Sequence, residues 1–401
     1  MTTTVHGISH RLRPFGESVF AVISRLAAEH GAVNLGQGFP DFDGPPEVRE
    51  AGKRAIDAGF GQYGRSIGLP ELNRAVAARW KALGKFEVDP DAEVTVTHGC
   101  TEAIAATMIG LVDPGDEVVL VEPFYDSYPA CVAMAGGTVR TVRLRAPDFA
   151  FPLEDLARAV GPRTKAIVVN SPHNPTGRVL TPAELEGVAR IARAAGCMVV
   201  SDEVYDEIWF GERPRSIATL PGMRERTITL SSLGKTFSLT GWKVGWSIAP
   251  PALTAGIRAA HQFLTFCGAT PLQRAAADAL SAPASYYESL RAEYRERRRH
   301  MLEVLRAAGL SPYEPEGSYF ALAPHAPFGH TDDVAFARHL VSKVGVAAIP
   351  CSAFYAPGAD GTRDAESHAL VRFAFCKRHE TIAAAGERLR ALTPSAHPPQ
   401  P

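Results

Sequence analysis

The chain has 401 residues, 46% of them apolar, with 42 basic and 43 acidic side chains and a formal charge of −1. That length allows two or three structural units around a large core, and the near-neutral balance gives neither nucleic acid nor an anionic membrane an electrostatic grip. No run of 18 or more apolar residues occurs, which excludes an ordinary membrane-spanning helix.

The opening stretch MTTTVHGISHRLRPFG lacks the apolar core of a secretory signal, so a cytoplasmic protein is expected. His6 and His10 are four apart there, but in an unpatterned tail that reads as solvated rather than metal-bound. Next, EVREAGKRAIDAG reads as a helix, and GFGQYG at 59–64 matches Gly-x-Gly-x-x-Gly in letters alone. A dinucleotide site needs a strand before that motif and a helix starting within it. Here a helix precedes and a loop follows, so no nicotinamide cofactor is expected.

From about residue 92 to 250 strand-like and helix-like segments alternate. EVTVTHG reads as a strand, TEAIAATMIGLV as a helix, DPGD as a turn, and EVVLVEP and TKAIVVNSP as strands. Thr181-Pro182-Ala183-Glu184 opens a further helix with a cap residue, proline at the first helical position and glutamate three after the cap. CMVVSDEVY and RTITLSS are two more strands. Buried apolar strands alternating with helices predict an α/β fold with a mostly parallel sheet covered on both faces. Functional groups in such folds gather beyond the carboxyl ends of the strands, where this sequence puts Gly99, Asn174, Asp202 and Lys235. After residue 284 a charged helix, YYESLRAEYRERRRHMLEVLRAAG, leads into SYFALAP, GVAAIP and LVRFAFC and a terminal helix, a smaller α+β unit. RERRR in the charged helix reads as a solvated face, and PSAHPPQP as a frayed tail. The six cysteines, Cys100, Cys131, Cys197, Cys267, Cys351 and Cys376, form no Cys-x-x-Cys pair and have no histidine pair at zinc-finger spacing. Reduced thiols and no metal site are expected.

Residues 231–246, SSLGKTFSLTGWKVGW, hold two lysines eight positions apart among small, apolar and aromatic residues, where an unpaired ammonium is costly. Gly234-Lys235-Thr236 imitates the end of a phosphate-binding P-loop, but Thr229 stands where its first glycine belongs. An imine between Lys235 and an aldehyde cofactor accounts for the setting, because an electrophilic lysine adduct needs a desolvated amine. Pyridoxal phosphate also needs a carboxylate beside its ring nitrogen, and Asp202 ends a neighbouring strand. Tyr205 and Asn174 can reach the ring oxygen and tune the imine to lose its proton near neutral pH. HGCTEA sets a glycine turn at a helix start, where free amides favour an anion, with Ser232 and Lys243 to add a hydroxyl and a charge. Taken singly, Asp202 also suits a strand-to-helix cap, Asn174 a turn, Tyr205 an ordinary half-buried aromatic and Lys243 a surface charge. Their order at successive strand ends is what points to one cofactor.

NLGQGFPDFDGPP, QYGRSIGLPEL, HGCTEAI, EPFYDSY, NSPHNPTG, SDEVYDEIWF, SSLGKTFSLTGWKVGW, PEGSYF, IPCSAFY and VRFAFCK, in this order, resemble the aspartate-aminotransferase-like family over residues 12–390. Its subgroup of kynurenine, glutamine K, methionine and succinyldiaminopimelate aminotransferases and cysteine-conjugate β-lyases is the nearest match. The resemblance implies a fold type I pyridoxal-phosphate-dependent transferase. Its large domain, at 48–283, would carry a mostly parallel seven-stranded sheet between helices. Residues 1–47 would form an N-terminal arm and part of the small domain, and 284–401 the small C-terminal α+β domain.

The same resemblance implies site roles. Lys235 would be the Schiff-base lysine, Asp202 the partner of the pyridine nitrogen, and Tyr205 and Asn174 the contacts of the ring oxygen. Tyr125 would stack on the ring. The amides of Cys100 and Thr101, with Ser232 and Lys243, would hold the phosphate, and Tyr63 would reach the phosphate of the other subunit in a homodimer with shared sites. Arg372 would grip the substrate α-carboxylate in two parallel hydrogen bonds, and Gly38 would let its backbone approach that carboxylate. The implied reaction moves an amino group between an L-amino acid and a 2-oxo acid in two half-reactions, so ping-pong kinetics are expected.

Phe20, Phe39, Phe266 and Phe354 match an aromatic pocket wall that favours aromatic or sulfur-containing amino acids, kynurenine or glutamine, although Thr101 and Cys267 are smaller than the rings found in animal kynurenine aminotransferases. Succinyldiaminopimelate is the alternative donor; its second carboxylate needs a further cation, for which Arg65 and Arg25 are candidates. A β-lyase would use the same residues and eliminate a group from the β-carbon. A DNA-binding regulator is disfavoured, since no basic helix-turn-helix precedes residue 20.

Overall fold

The computed structural model of the protein describes residues 7–358 and 361–393. His6 and the tail expected at 394–401 lie outside the described residues. The order is α1 (Val19–Glu29), β1 (Val33–Asn34), α2 (Pro46–Asp57), α3 (Pro70–Ala82), β2 (Val94–His98), α4 (Gly99–Leu111), β3 (Glu117–Glu122), α5 (Ser127–Ala135) and β4 (Thr138–Arg143). It continues with α6 (Leu153–Ala159), β5 (Thr164–Asn170), α7 (Pro182–Ala195), β6 (Met198–Asp202), β7 (Thr227–Ser232), the single turn α8 (Leu233–Thr236), β8 (Val244–Ile248), α9 (Pro251–Leu264) and α10 (Thr270–Leu280). Last come α11 (Ala284–Ala307), β9 (Phe320–Pro324), α12 (Asp333–His339), β10 (Val346–Ala347), β11 (Ile349–Pro350), β12 (Leu370–Ala374) and α13 (His379–Leu389).

Seven strands form one sheet in the order β2-β8-β7-β6-β5-β3-β4. Only β8 runs against its neighbours β2 and β7. Successive residues of the central strands alternate between two cores, as strand geometry requires. Val118 and Leu120 of β3, Ala166 and Val168 of β5 and Val200 of β6 pack with α4, α5 and α9. Val119 and Val121, Ile167 and Val169, and Val199 pack with α6 and α7 on the other face. Each fully buried Val or Leu contributes roughly 1.5–3 kcal/mol, so both faces must stay covered. This is the expected α/β fold, a mostly parallel sheet between helices.

Two strands of the sheet have no counterpart among the expected segments. TVRTVR (β4) lies at the edge with mostly solvated side chains, so it lacks the apolar run that marks its neighbours. VGWSI (β8) is buried throughout but begins with the last residues of the two-lysine motif. The capping box foreseen at Thr181 and Glu184 is present, and Gly196 closes α7 in the left-handed conformation.

The C-terminal unit holds the antiparallel sheet β11-β12-β9 packed against α11 and α13. β1 pairs with β10, so Val33 and Asn34 join this unit from the far end of the chain. RERRR is not uniformly solvated: Arg297 is buried, its guanidinium 4.3 Å from the centroid of the Phe42 ring. One position in a charged run turns inward because a helix of this length always presents some face to the core.

Candidate active site

The parallel strands end at Asn170, Asp202 and Ser232 on one edge of the sheet. Because β8 is antiparallel, the chain that leaves this edge after Ser232 returns to it, pairing Gly245 with Ser232 and Val244 with His98. Lys235 follows one strand end and Lys243 precedes the next strand start, so an eight-residue separation places both lysines at one opening. That opening is a cavity of about 350 Å³ lined by Lys235, Asp202, Tyr205, Asn174, Lys243 and Arg372, with Cys100, Thr101, Tyr125, Ser232, Gly38 and Phe20 completing its wall.

Lys235 Nζ makes one long hydrogen bond, 3.4 Å to the Gly38 carbonyl, and stands 5.7 and 5.6 Å from the ring centroids of Tyr205 and Tyr319. Desolvation lowers its pKa, opposed by the Cys376 thiol and the Asp202 carboxylate. Burial thus favours the uncharged amine more than it would be favoured in water. Asp202, 4% exposed, accepts a 2.7 Å hydrogen bond from the Tyr128 hydroxyl and a 3.2 Å one from the Val204 N–H. Burial raises its pKa, with Tyr128, Val204 and Lys235 pulling it back. Tyr205 is buried, its ring edge-on to Tyr319 and Phe320.

Arg372 is 1% exposed. It donates from Nη1 to Asn174 Oδ1 at 2.8 Å and from Nη2 to the Gly36 carbonyl at 3.0 Å. Its Nε has no hydrogen-bond partner. The plane sits 4.0 Å from the Phe320 ring centroid and about 5 Å from those of Phe20 and Phe354. Among the described residues no carboxylate pairs with it. A buried cation whose partners are neutral acceptors has the chemistry to take an anion. A Cβ on Gly38 would lie 2.8 Å from Phe320 Cζ, so the glycine also admits the ring that supports Arg372.

At the opposite wall Gly99 has φ +74° and begins α4 with no side chain capping its free amides. Lys243, itself at φ +52°, donates to Thr101 Oγ1 at 3.2 Å. A Cβ on Gly245 would lie 2.5 Å from the Gly99 carbonyl carbon and 2.6 Å from Cys100 N, so β8 and the helix start can touch only through glycine. Burial pushes the Cys100 thiol and the Tyr125 phenol up.

Other expected residues lie elsewhere. Tyr63 is 85% exposed against Phe266 and does not line this chain's cavity, nor does Phe266. Phe39 lines it and is 48% exposed; Phe354 is fully buried behind Arg372. Arg65 is tied to Asp91 and the Gly68 carbonyl, and Arg25 to Glu17. Neither lines the cavity of this chain. Four residues went unnamed: Tyr128 on Asp202, Asn170 bridging the Asp202 carbonyl and the Asn174 N–H, Tyr319 on the Gly38 carbonyl, and Phe320 under Arg372. Their sole signal was membership of the quoted motifs EPFYDSY, NSPHNPTG's strand and PEGSYF.

Residues 30–388 match the family described as Aminotransferase class I and II. The chain is an aminotransferase of this family. It is similar to the probable N-succinyldiaminopimelate aminotransferase of Mycobacterium tuberculosis, 48% identical over 389 residues that cover 95% of this chain and 98% of the relative. It is also similar to the methionine aminotransferase of Escherichia coli, 39% identical over 383 residues covering 95% and 97%. The solved N-succinyldiaminopimelate aminotransferase of M. tuberculosis superposes with a TM-score of 0.92 at 47% identity, covering 96% of the aminotransferase and 100% of that chain. Among the described residues of the aminotransferase no helix is long and apolar enough to cross a membrane.

Replacing Tyr128 by phenylalanine is expected to lower the unfolding free energy by about 1–3 kcal/mol, because it leaves the buried Asp202 one donor short. Chemical denaturation of the purified variant measures this.

Proposed function

We propose that this aminotransferase uses pyridoxal 5'-phosphate held by Lys235 and moves the amino group of an L-amino acid to a 2-oxo acid. The observation that carries the reading is a pair of buried ionisable groups on one cavity that make no ion pair among the described residues: Arg372, whose partners are the Asn174 and Gly36 oxygens, and Asp202, whose partners are the Tyr128 hydroxyl and the Val204 N–H. A substrate α-carboxylate answers the first and a protonated pyridine nitrogen the second; uncapped amides at Gly99, Cys100 and Thr101, with Ser232 and Lys243, fit a phosphate. When bound, the cofactor supplies an aldehyde carbon for attachment and a cationic ring that draws off electrons.

The chain's own groups do the rest. Arg372 fixes the α-carboxylate in two parallel contacts, and Asn174 holds the guanidinium. Lys235 Nζ, set free when the donor's amine replaces it at the cofactor's aldehyde carbon, would take the donor's α-proton and would deliver it to that carbon from the same side. Asp202, steadied by Tyr128, keeps a ring proton in place, and Tyr205 and Asn174 face the ring oxygen. Tyr125 covers a ring face.

N-Succinyldiaminopimelate as amino donor is supported by the 48% identity over nearly the whole relative. A methionine-type or aromatic donor is supported by Phe20 and Phe39 on the wall of a cavity that neither Arg25 nor Arg65 lines. A panel with succinyldiaminopimelate, methionine, kynurenine, glutamine and phenylalanine, scored by 2-oxo acid release, separates the two. The succinylated donor is expected to give the highest kcat/KM, with parallel initial-rate plots; a larger kcat/KM for methionine or phenylalanine would reverse the assignment. Pyruvate and ammonia formed from a cysteine conjugate without an acceptor would indicate a β-lyase.

A homodimer with shared sites belongs to the same proposal, supported by the exposed Tyr63, Phe263 and Leu264. So do the domain limits 1–47, 48–283 and 284–401, supported by the β1–β10 pairing and by a large sheet confined to residues 94–248. Six unpaired cysteines support a cytoplasmic location.

A further inference from the structure

His261, in the last turn of α9, is 1% exposed and meets an acceptor with each ring nitrogen. Nδ1 lies 2.6 Å from Glu102 Oε1, and Nε2 lies 2.7 Å from the Ser66 carbonyl oxygen. The other oxygen of Glu102 accepts the His98 N–H. A neutral imidazole carries one N–H and satisfies one of two acceptors. A proton shared with Glu102 belongs to the ring, which is the stronger base by about two pK units. Two donors are therefore required, and only the protonated ring has them.

We propose that His261 is held as an imidazolium and is a positioning residue that fastens the anion-binding turn of α4 to the 61–68 loop carrying Tyr63. This rests on the reading of the α4 start as the phosphate site. Glu102 follows directly on Gly99, Cys100 and Thr101, so fixing its carboxylate fixes the direction of those amides. Ser66 is three residues beyond Tyr63, and α9 runs on into Phe266, which meets the Tyr63 ring at 5.3 Å. One buried cation thus joins the turn, the loop and the end of α9.

The other charges nearby are turned away. Arg65 is engaged with Asp91 and the Gly68 carbonyl; Arg258, on α9, with Thr95 and the Asp91 and Val94 carbonyls; and Lys243 with Thr101. Glu102 is the one charged group in contact with the ring among the described residues. Burial pulls the ring's pKa down, but the Glu102 bond and charge and the Ser66 carbonyl outweigh it, so the net shift is upward. With the folded value raised, this stabilisation is complete below the ordinary imidazole pKa and is lost as pH rises through the raised value.

Two measurements test the proposal. Long-range proton–nitrogen NMR of the cofactor-free full chain, with the His261 signals assigned by their loss in His261→Gln, is expected to give two protonated ring nitrogens at pH 7.5, a value chosen about one unit above the free imidazole pKa. A neutral single-tautomer ring there overturns it. Binding of pyridoxal phosphate and of unphosphorylated pyridoxal is then compared in wild type, His261→Gln and Glu102→Gln. Both variants are expected to bind pyridoxal phosphate about tenfold more weakly, the worth of one charged hydrogen bond, and pyridoxal about as wild type does. Equal losses for both ligands would make His261 a merely structural residue and overturn the positioning role. Wild-type protein that binds the two ligands equally would instead overturn the phosphate reading, and the positioning role with it, whatever the NMR result.

Discussion

Lys235→Ala is expected to lower turnover about 10⁴-fold, the upper end of what a positioned proton carrier contributes, and to yield protein without the yellow of a covalently held cofactor. Lys235 lines the cavity together with Asp202, and among the described residues its Nζ makes one 3.4 Å hydrogen bond, to the Gly38 carbonyl, and no ion pair. Lys243 is the other lysine on the wall and already donates to Thr101. Lys243→Ala is therefore expected to weaken phosphate-dependent binding and keep the colour. Steady-state kinetics and absorbance of the two purified variants check this pair. Colour retained by Lys235→Ala and lost by Lys243→Ala would exchange their roles.

Arg372→Gln is expected to reduce kcat/KM by about two orders of magnitude, because removing one member of a buried, hydrogen-bonded charge pair costs about 3 kcal/mol. Arg372→Lys is expected to recover little of it. An ammonium restores the charge but cannot make two parallel bonds to a carboxylate or lie flat on Phe320. Stability should move the other way. In the free enzyme Arg372 is a desolvated cation whose pKa burial lowers, and replacing an unpaired buried charge with a neutral group is neutral or stabilising. The variant is thus expected to melt no lower than wild type while failing as a catalyst. A large fall in melting temperature would make Arg372 a structural residue.

Residues at the ends of parallel strands were readable because position along the chain and position in the fold coincide there. A buried strand ends in a polar residue, and that residue lies on the edge that borders the cavity, as Asp202 does at the end of β6; Asn170, which ends β5, obeys the same rule but was passed over for Asn174 four residues on. Lys235 was readable because a lysine in so apolar a stretch needs a reason. Tyr128 was not, since a tyrosine in the first turn of α5 has the same local signature as any core aromatic; its hydroxyl acquires a meaning only when Asp202, 74 positions away in sequence, stands 2.7 Å from it. Phe266 shows the reverse case. It was expected on the pocket wall, but the chain leaves α9 through a left-handed residue, φ +67°, which carries the ring to Tyr63 outside this chain's cavity. His261 left no trace at all in HQFLTF, because both of its partners are far away in sequence.

The most direct measurement is borohydride reduction of the pyridoxal-phosphate-loaded enzyme followed by peptide mapping by mass spectrometry. The pyridoxyl mass is expected on the peptide containing SSLGKTF, at Lys235. Finding it on Lys243, or on no lysine of the cavity, would contradict the assignment of the site.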